Sequence, residues 1–158
     1  MDCVSKALPR LFTVIFGALL LGGCASTNQG PLRAVDRIDL DRYMGEWFVI
    51  AHIPYALEEG KVASLDRYAL RDDGKIDNVF AFRKETFEAP EEEWKGVAWV
   101  TDAESNAEWK VQFWWPFSAT YVITDIGEDY RWAVVGHPSR KYLWILSRER
   151  VMSPALLK

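Results

Sequence analysis

Short strand-like runs recur along this chain with turn signals between them every 8 to 14 residues, and that spacing limits the fold more than any other feature. It favours an all-β sandwich or barrel. The runs are Trp47–Ile53, Val62–Leu70, Ile76–Arg83, Trp94–Val100, Trp109–Trp114, Thr120–Thr124, Arg131–Gly136 and Tyr142–Arg148. Arg71-Asp72-Asp73-Gly74 is a strong hairpin signal, and Ile126-Gly127-Glu128-Asp129 is a weaker one. No internal repeat or low-complexity tract interrupts the series.

Eight strands that rise and descend in turn sort the loops by parity. The start of the first strand, the turns 71–75, 101–108 and 125–130, and the end of the last strand share one end, the floor. The loops Pro54–Lys61, Lys84–Glu93, Trp115–Ala119 and His137–Lys141 share the other, the mouth. An up-and-down barrel therefore brings Trp47 against Arg148, whereas a Greek-key sandwich does not require it.

Alternation then assigns faces. With Trp47 inward, Val49, Ala51 and Ile53 point in, while Phe48, Ile50 and His52 point out. Asn78, Phe80 and Phe82 share the inner face of the third strand, because Asp77 and Arg83 prefer water. Gly96 and Ala98 follow in the fourth, Trp109, Val111 and Phe113 in the fifth, and Trp144, Leu146 and Arg148 in the eighth. Large rings opposite small residues leave room for a cavity or close-pack a solid core. Asn78 stands apart, since a lone polar side chain on an apolar face needs a partner.

Gly45-x-Trp47 near the start and Tyr142–Arg148 near the end resemble the first and third motifs of the lipocalin family. Asp125–Tyr130 is similar to the second, one residue longer than usual. The resemblance covers residues 38–152. It implies an eight-stranded antiparallel up-and-down barrel, with Gly45, Trp47 and Arg148 as a structural signature and the arginine stacked on the indole. Within the family the chain looks most like the bacterial outer-membrane lipoprotein lipocalins, which are apolipoprotein D-like, bind fatty acids or lysophospholipids, and share the Trp114-Trp115-Pro116-Phe117 loop. The family continues after the eighth strand into a helix on the barrel wall. Here Ser153-Pro154 reads as a helix start with N-cap and first-turn proline, so the C-terminal helix is expected to be cut short.

Residues 1–23 read as a lipoprotein leader. Lys6 and Arg10 form a positive n-region, and the apolar run Leu11–Leu21 is too short to span a bilayer but fits a secretory h-region. Leu21-Gly22-Gly23-Cys24 resembles a lipobox, with Cys24 as the lipidated residue, and Ala25 rather than Asp after it points to the outer membrane. Residues 24–37 are expected to be a flexible tether, long enough to leave the direction of the mouth open, and residues 38–158 the barrel. Cys3 leaves with the leader, so no internal disulfide can form and stability rests on packing.

The chain carries a net charge of −4, and loss of Asp2, Lys6 and Arg10 makes it one unit more negative. With no basic cluster, this argues against nucleic acid as a partner. Ligand contacts are expected from inward residues towards the mouth: Val49, Ala51, Asn78, Phe80, Phe82, Ala98, Val111, Phe113 and Trp144. Burying a palmitoyl-length chain is worth about 12 kcal/mol gross at about 0.8 per methylene. A bilayer offers nearly as much, so single-chain lipids are the expected partners. Trp114, Trp115 and Phe117 can enter the headgroup zone or form a lid. Glu91–Glu93, with Glu85 and Glu88, read as a solvated mouth loop. No catalytic triad, metal-ligand spacing or cofactor motif is visible. Beside the carrier stand a structural or partner-docking lipoprotein with a filled barrel and, less favoured, an enzyme acting on a lipophilic ligand. A cavity of several hundred cubic ångströms separates the first from the second.

Overall fold

The computed structural model describes residues 30–156. The leader and Cys24 lie outside the described residues. A four-residue helix, α1 (Leu40–Tyr43), leads into β1 (Gly45–His52), β2 (Lys61–Leu70), β3 (Ile76–Lys84), β4 (Glu91–Val100), β5 (Glu108–Trp114), β6 (Phe117–Ile126), β7 (Trp132–Gly136) and β8 (Leu143–Ser147). Each strand pairs antiparallel with its chain neighbour, and β8 closes on β1. The closed order excludes the sandwich.

The floor is a solid plug. Trp47, Tyr43 and Trp109 are fully buried, and the tyrosine ring packs 4.9 Å from Trp47 and edge-on to Trp109 at 5.3 Å. The Arg148 guanidinium lies 3.7 Å over the Trp47 ring. Its nitrogens donate to the carbonyls of Glu46, Arg42, Tyr43 and Tyr130. The last carbonyls of a short helix have no partner within it, so Arg148 joins α1, β1 and the 127–131 turn in one contact set. Gly45 enters β1 at φ +97°, and a Cβ there would lie 3.3 Å from the Arg148 guanidinium. Only glycine takes that backbone freely.

Several expectations need correction. A bulge between Val49 and Ala51 moves β1 past β8 by one residue, so Ala51 pairs Ile145 and His52 pairs Trp144. One extra residue reverses every later side chain. His52 therefore faces in, and Ala51 and Ile53 are exposed. β6 begins at Phe117 rather than Thr120, with Trp114 paired to Phe117 across a tight turn. β4 begins at Glu91, so the glutamate run is strand, not loop. Glu91 and Glu93 accept from Arg67 on the outer wall, and Glu92 pairs with Lys84.

Residues 30–37, expected as free tether, are laid along the barrel. The Arg140 guanidinium, in the mouth loop 137–142, donates to the Gly30 carbonyl at 2.9 Å, and Leu32 sits against Gly136 at the mouth end of β7. Val35 then donates to the Ile123 carbonyl halfway down β6, and Ile38 reaches Ser105 in the floor turn 101–107. Ala34 and Val35 pack on the core, and that burial is what holds the strap. After β8, Arg150 covers the Phe48 ring on the outer wall at 4.6 Å, and Leu156 donates to the Ser153 carbonyl, which closes one turn.

Candidate functional site

Above the plug the barrel is open. A cavity of about 520 Å³ runs from the rings of Tyr68 and Tyr121 to the mouth, within the usual range for small-molecule sites. Its wall is apolar, built from Phe80 on β3, Trp94 on β4, Val111 and Phe113 on β5, and Trp144 and Leu146 on β8. Gly96 makes room for this wall, because a Cβ there would come within 2.8 Å of the Phe113 ring and 2.7 Å of the Gln112 carbonyl.

Of the expected contacts, Asn78, Phe80, Val111, Phe113 and Trp144 line the cavity, and Val49, Ala51, Phe82 and Ala98 do not. Val49, opposite Leu146, packs on the core below it. Ala51 is turned out by the bulge. Ala98 is fully buried between Ile76 and Val111 near the floor. Phe82 is 1% exposed and packs behind Phe80 and Trp94, with the Lys61 ammonium 4.8 Å over its ring.

The sequence left other lining residues unnamed: Asp66 and Tyr68 on β2, Glu58 and Tyr55 from the mouth loop, Tyr121 and Tyr142. In β2 the aspartate faces in, against ordinary polarity, while Leu65 faces the outer wall and is buried there at 2% exposure. Only the register shows this: Trp47 pairs Asp66, and Phe48 pairs Leu65.

These residues make a polar set inside an apolar cup. The Glu58 carboxylate meets His52 Nδ1 at 3.0 Å and accepts from the Tyr55 hydroxyl at 2.8 Å and Trp144 Nε1 at 3.1 Å. Burial, then the charge of Glu58, pushes the Asp66 carboxyl up to about 7, against a smaller opposing pull from the Tyr68 hydroxyl. Below it the hydroxyls of Tyr43 and Tyr121 lie 2.7 Å apart, and Tyr68 donates to Tyr121 at 3.2 Å. Burial first, and the neighbouring tyrosines and Asp66 next, hold all three phenols protonated. Asn78 Oδ1 is buried with no hydrogen-bond partner. No group of three or more His, Cys, Asp or Glu among the described residues is arranged to hold a metal.

The mouth is ringed by exposed apolar side chains. Leu57, Phe87, Trp115 and Phe117 are 56%, 70%, 86% and 78% exposed and come from three different loops, with Trp114 beside them.

Comparison with known proteins agrees with this architecture. The lipocalin-like domain matches residues 38–158. The chain is 34% identical over 151 residues to the outer membrane lipoprotein Blc of Citrobacter freundii, spanning 94% of this chain and 83% of that protein. It is 35% identical over 149 residues to the protein of the same name from Escherichia coli (strain K12), with the same coverage. Temperature-induced lipocalin-1 of Arabidopsis thaliana is 32% identical over 144 residues, which is 84% of this chain and 74% of that one. Insecticyanin from the tobacco hornworm Manduca sexta superposes with a TM-score of 0.64 at 18% identity, over 80% of this chain and 71% of its own, which is a likeness of fold alone. With its closed eight-stranded barrel, its arginine on the floor tryptophan and this kinship over nearly its whole length, the chain belongs to the lipocalin-like family and, with its lipoprotein relatives, to the outer membrane.

Proposed function

We propose that this protein is a lipid-anchored carrier that stores or transfers single-chain lipids, fatty acids or lysophospholipids, in its barrel. The observation that supports the reading is the open cavity with its apolar wall of Phe80, Trp94, Val111, Phe113 and Leu146. An unfilled apolar space of this size gains from taking up a chain that water rejects. A filled structural barrel has no such space, and the reading is of binding, not catalysis.

Cys24 is the anchor in this reading, and its position bears on how cargo enters. The described chain begins at the mouth, where Gly30 is held by Arg140. The six residues from Cys24 to Gly30 span at most about 20 Å. The lipid therefore tethers the mouth end, and the apolar ring of Leu57, Phe87, Trp115 and Phe117 is turned to the bilayer that holds the anchor.

Tryptophan emission tests the carrier reading in the mature protein with Cys24→Ser, which removes the lipid. Palmitate and lysophospholipid are added to the wild-type cavity and to Phe113→Gln. Saturable change at micromolar ligand, weakened about tenfold by the polar substitution, is the expected result. A flat response from folded protein returns the barrel to a structural role.

A further inference from the structure

The polar lining of the cavity is divided by chemistry. Its acids, Glu58 and Asp66, sit towards β1, β2 and β8, where Glu58 meets His52 and Trp144 and Asp66 pairs with Trp47. Where β6 and β7 reach the rim, the lining is Thr120 and His137 instead. Val122 pairs with Gly136, which sets His137 opposite Tyr121 and one residue from Thr120. Both side chains are half-buried.

Both groups are held as donors. The Lys110 ammonium, on β5, gives a hydrogen bond to Thr120 Oγ1 at 2.8 Å. That leaves the hydroxyl's own proton for a further acceptor and polarises it. His137 Nδ1 accepts from the Ser139 backbone N–H at 3.1 Å, and a backbone nitrogen can only donate. The ring proton therefore stands on Nε2. Burial, then the Lys110 charge, holds the His137 imidazole below its usual range, so at neutral pH it keeps that single proton. Lys110 has no carboxylate partner among the described residues, unlike Lys84 and Lys95, which pair with Glu92 and Glu93.

Two donors backed by an unpaired cation suit an oxyanion. Their place suits it as well. An anion at a half-wet rim keeps part of its hydration, whereas the same charge carried to the depth of the cup loses its water. An acyl tail bears no such cost and gains from the apolar wall.

We propose that the lipid enters tail-first and that its anionic head, a carboxylate or a phosphate, is seated at the β6–β7 rim on the Thr120 hydroxyl and His137 Nε2, with the Lys110 ammonium behind them supplying the balancing charge. This rests on the carrier reading and deepens it, because it names the head chemistry and the point at which the head stops.

Laurate, dodecyl phosphate and dodecanol share a tail and differ in head, and they are titrated at about pH 8, where both acids are ionised and Lys110 is charged. Tryptophan emission of the mature protein with Cys24→Ser is the readout, in parallel with Thr120→Val, Lys110→Met and Lys61→Met. Lys61 is the control, a cation near the mouth that covers the Phe82 and Trp94 rings. Both anions are expected to bind at least about tenfold tighter than dodecanol, and the tighter of the two names the head. Thr120→Val and Lys110→Met are each expected to cut that preference to below about threefold while leaving dodecanol as it was. Lys61→Met is expected to leave it intact. Dodecanol binding as tightly as both anions overturns the inference and leaves the carrier reading standing. So does a preference that survives both rim substitutions, or one lost with Lys61→Met instead. Absence of saturation by all three ligands on folded wild-type protein overturns both. The wild-type ranking can sink the inference even if a variant does not fold.

Discussion

The floor and the mouth of this barrel are both rich in aromatic rings and use them in opposite ways. At the floor Trp47, Tyr43 and Trp109 interlock with no exposed surface, and Arg148 ties the indole to four backbone carbonyls. At the mouth Trp115, Phe117 and Phe87 project from short loops into solvent. Between them Phe80, Trp94 and Phe113 line a space they do not fill. A ring's value to the fold thus depends on what surrounds it: the same side chain is a keystone where it is enclosed and free for a partner where it is not.

The largest break in this contrast is expected from Trp47→Ala. It empties the centre of the plug and should cost about 3–5 kcal/mol in denaturant unfolding. Arg148→Met comes next, at about 2–4 kcal/mol, because carbonyls at the end of α1 lose a charged donor. A cost under about 1 kcal/mol for either would mean that the floor is not the stabilising half.

Asp66→Asn probes the boundary between plug and cavity. A carboxyl whose folded value is raised to about 7 from an ordinary 3.8 binds a proton more tightly in the native state than in the unfolded one. Wild-type stability should therefore fall as pH rises from about 4 to about 7, then level off. The variant should lose that slope and be more stable by about 2 kcal/mol near pH 8, measured as urea midpoint against pH. An unchanged slope would place the titration elsewhere.

The smallest effect on stability belongs to the mouth. Trp115→Ser with Phe117→Ser should shift unfolding by less than about 0.5 kcal/mol per site, yet reduce binding of the unlipidated protein to neutral vesicles in a flotation assay. Loss of stability without loss of vesicle binding would reverse the roles assigned to the two ends.

Much of the floor was readable from the sequence because its constraints are few and local. Strand count and parity alone bring Trp47 to Arg148, and the positive φ of Gly45 is a demand only glycine meets freely. The cavity was read less completely. Alternation works only while the pairing register is unbroken, and the bulge after Val49 exchanges the places of Ala51 and His52. Asp66 escaped for another reason. Its polarity argues for water, and only pairing with Trp47 and Phe80 turns it inward. Phe82 and Phe113 carry the same ring on strands either side of β4, and the neighbour that covers one and not the other cannot be told from composition.

The strap from Gly30 at the mouth to Ile38 at the floor carries a kinetic consequence. Because it fixes Gly30 beside the opening, a lipid on Cys24, as proposed above, would keep the barrel entrance within about 20 Å of one bilayer leaflet. Encounter with lipids of that leaflet is then effectively intramolecular, governed by a high local concentration instead of by diffusion from bulk. A longer leash, made by inserting residues between Cys24 and Gly30, would dilute that encounter without touching a single cavity side chain.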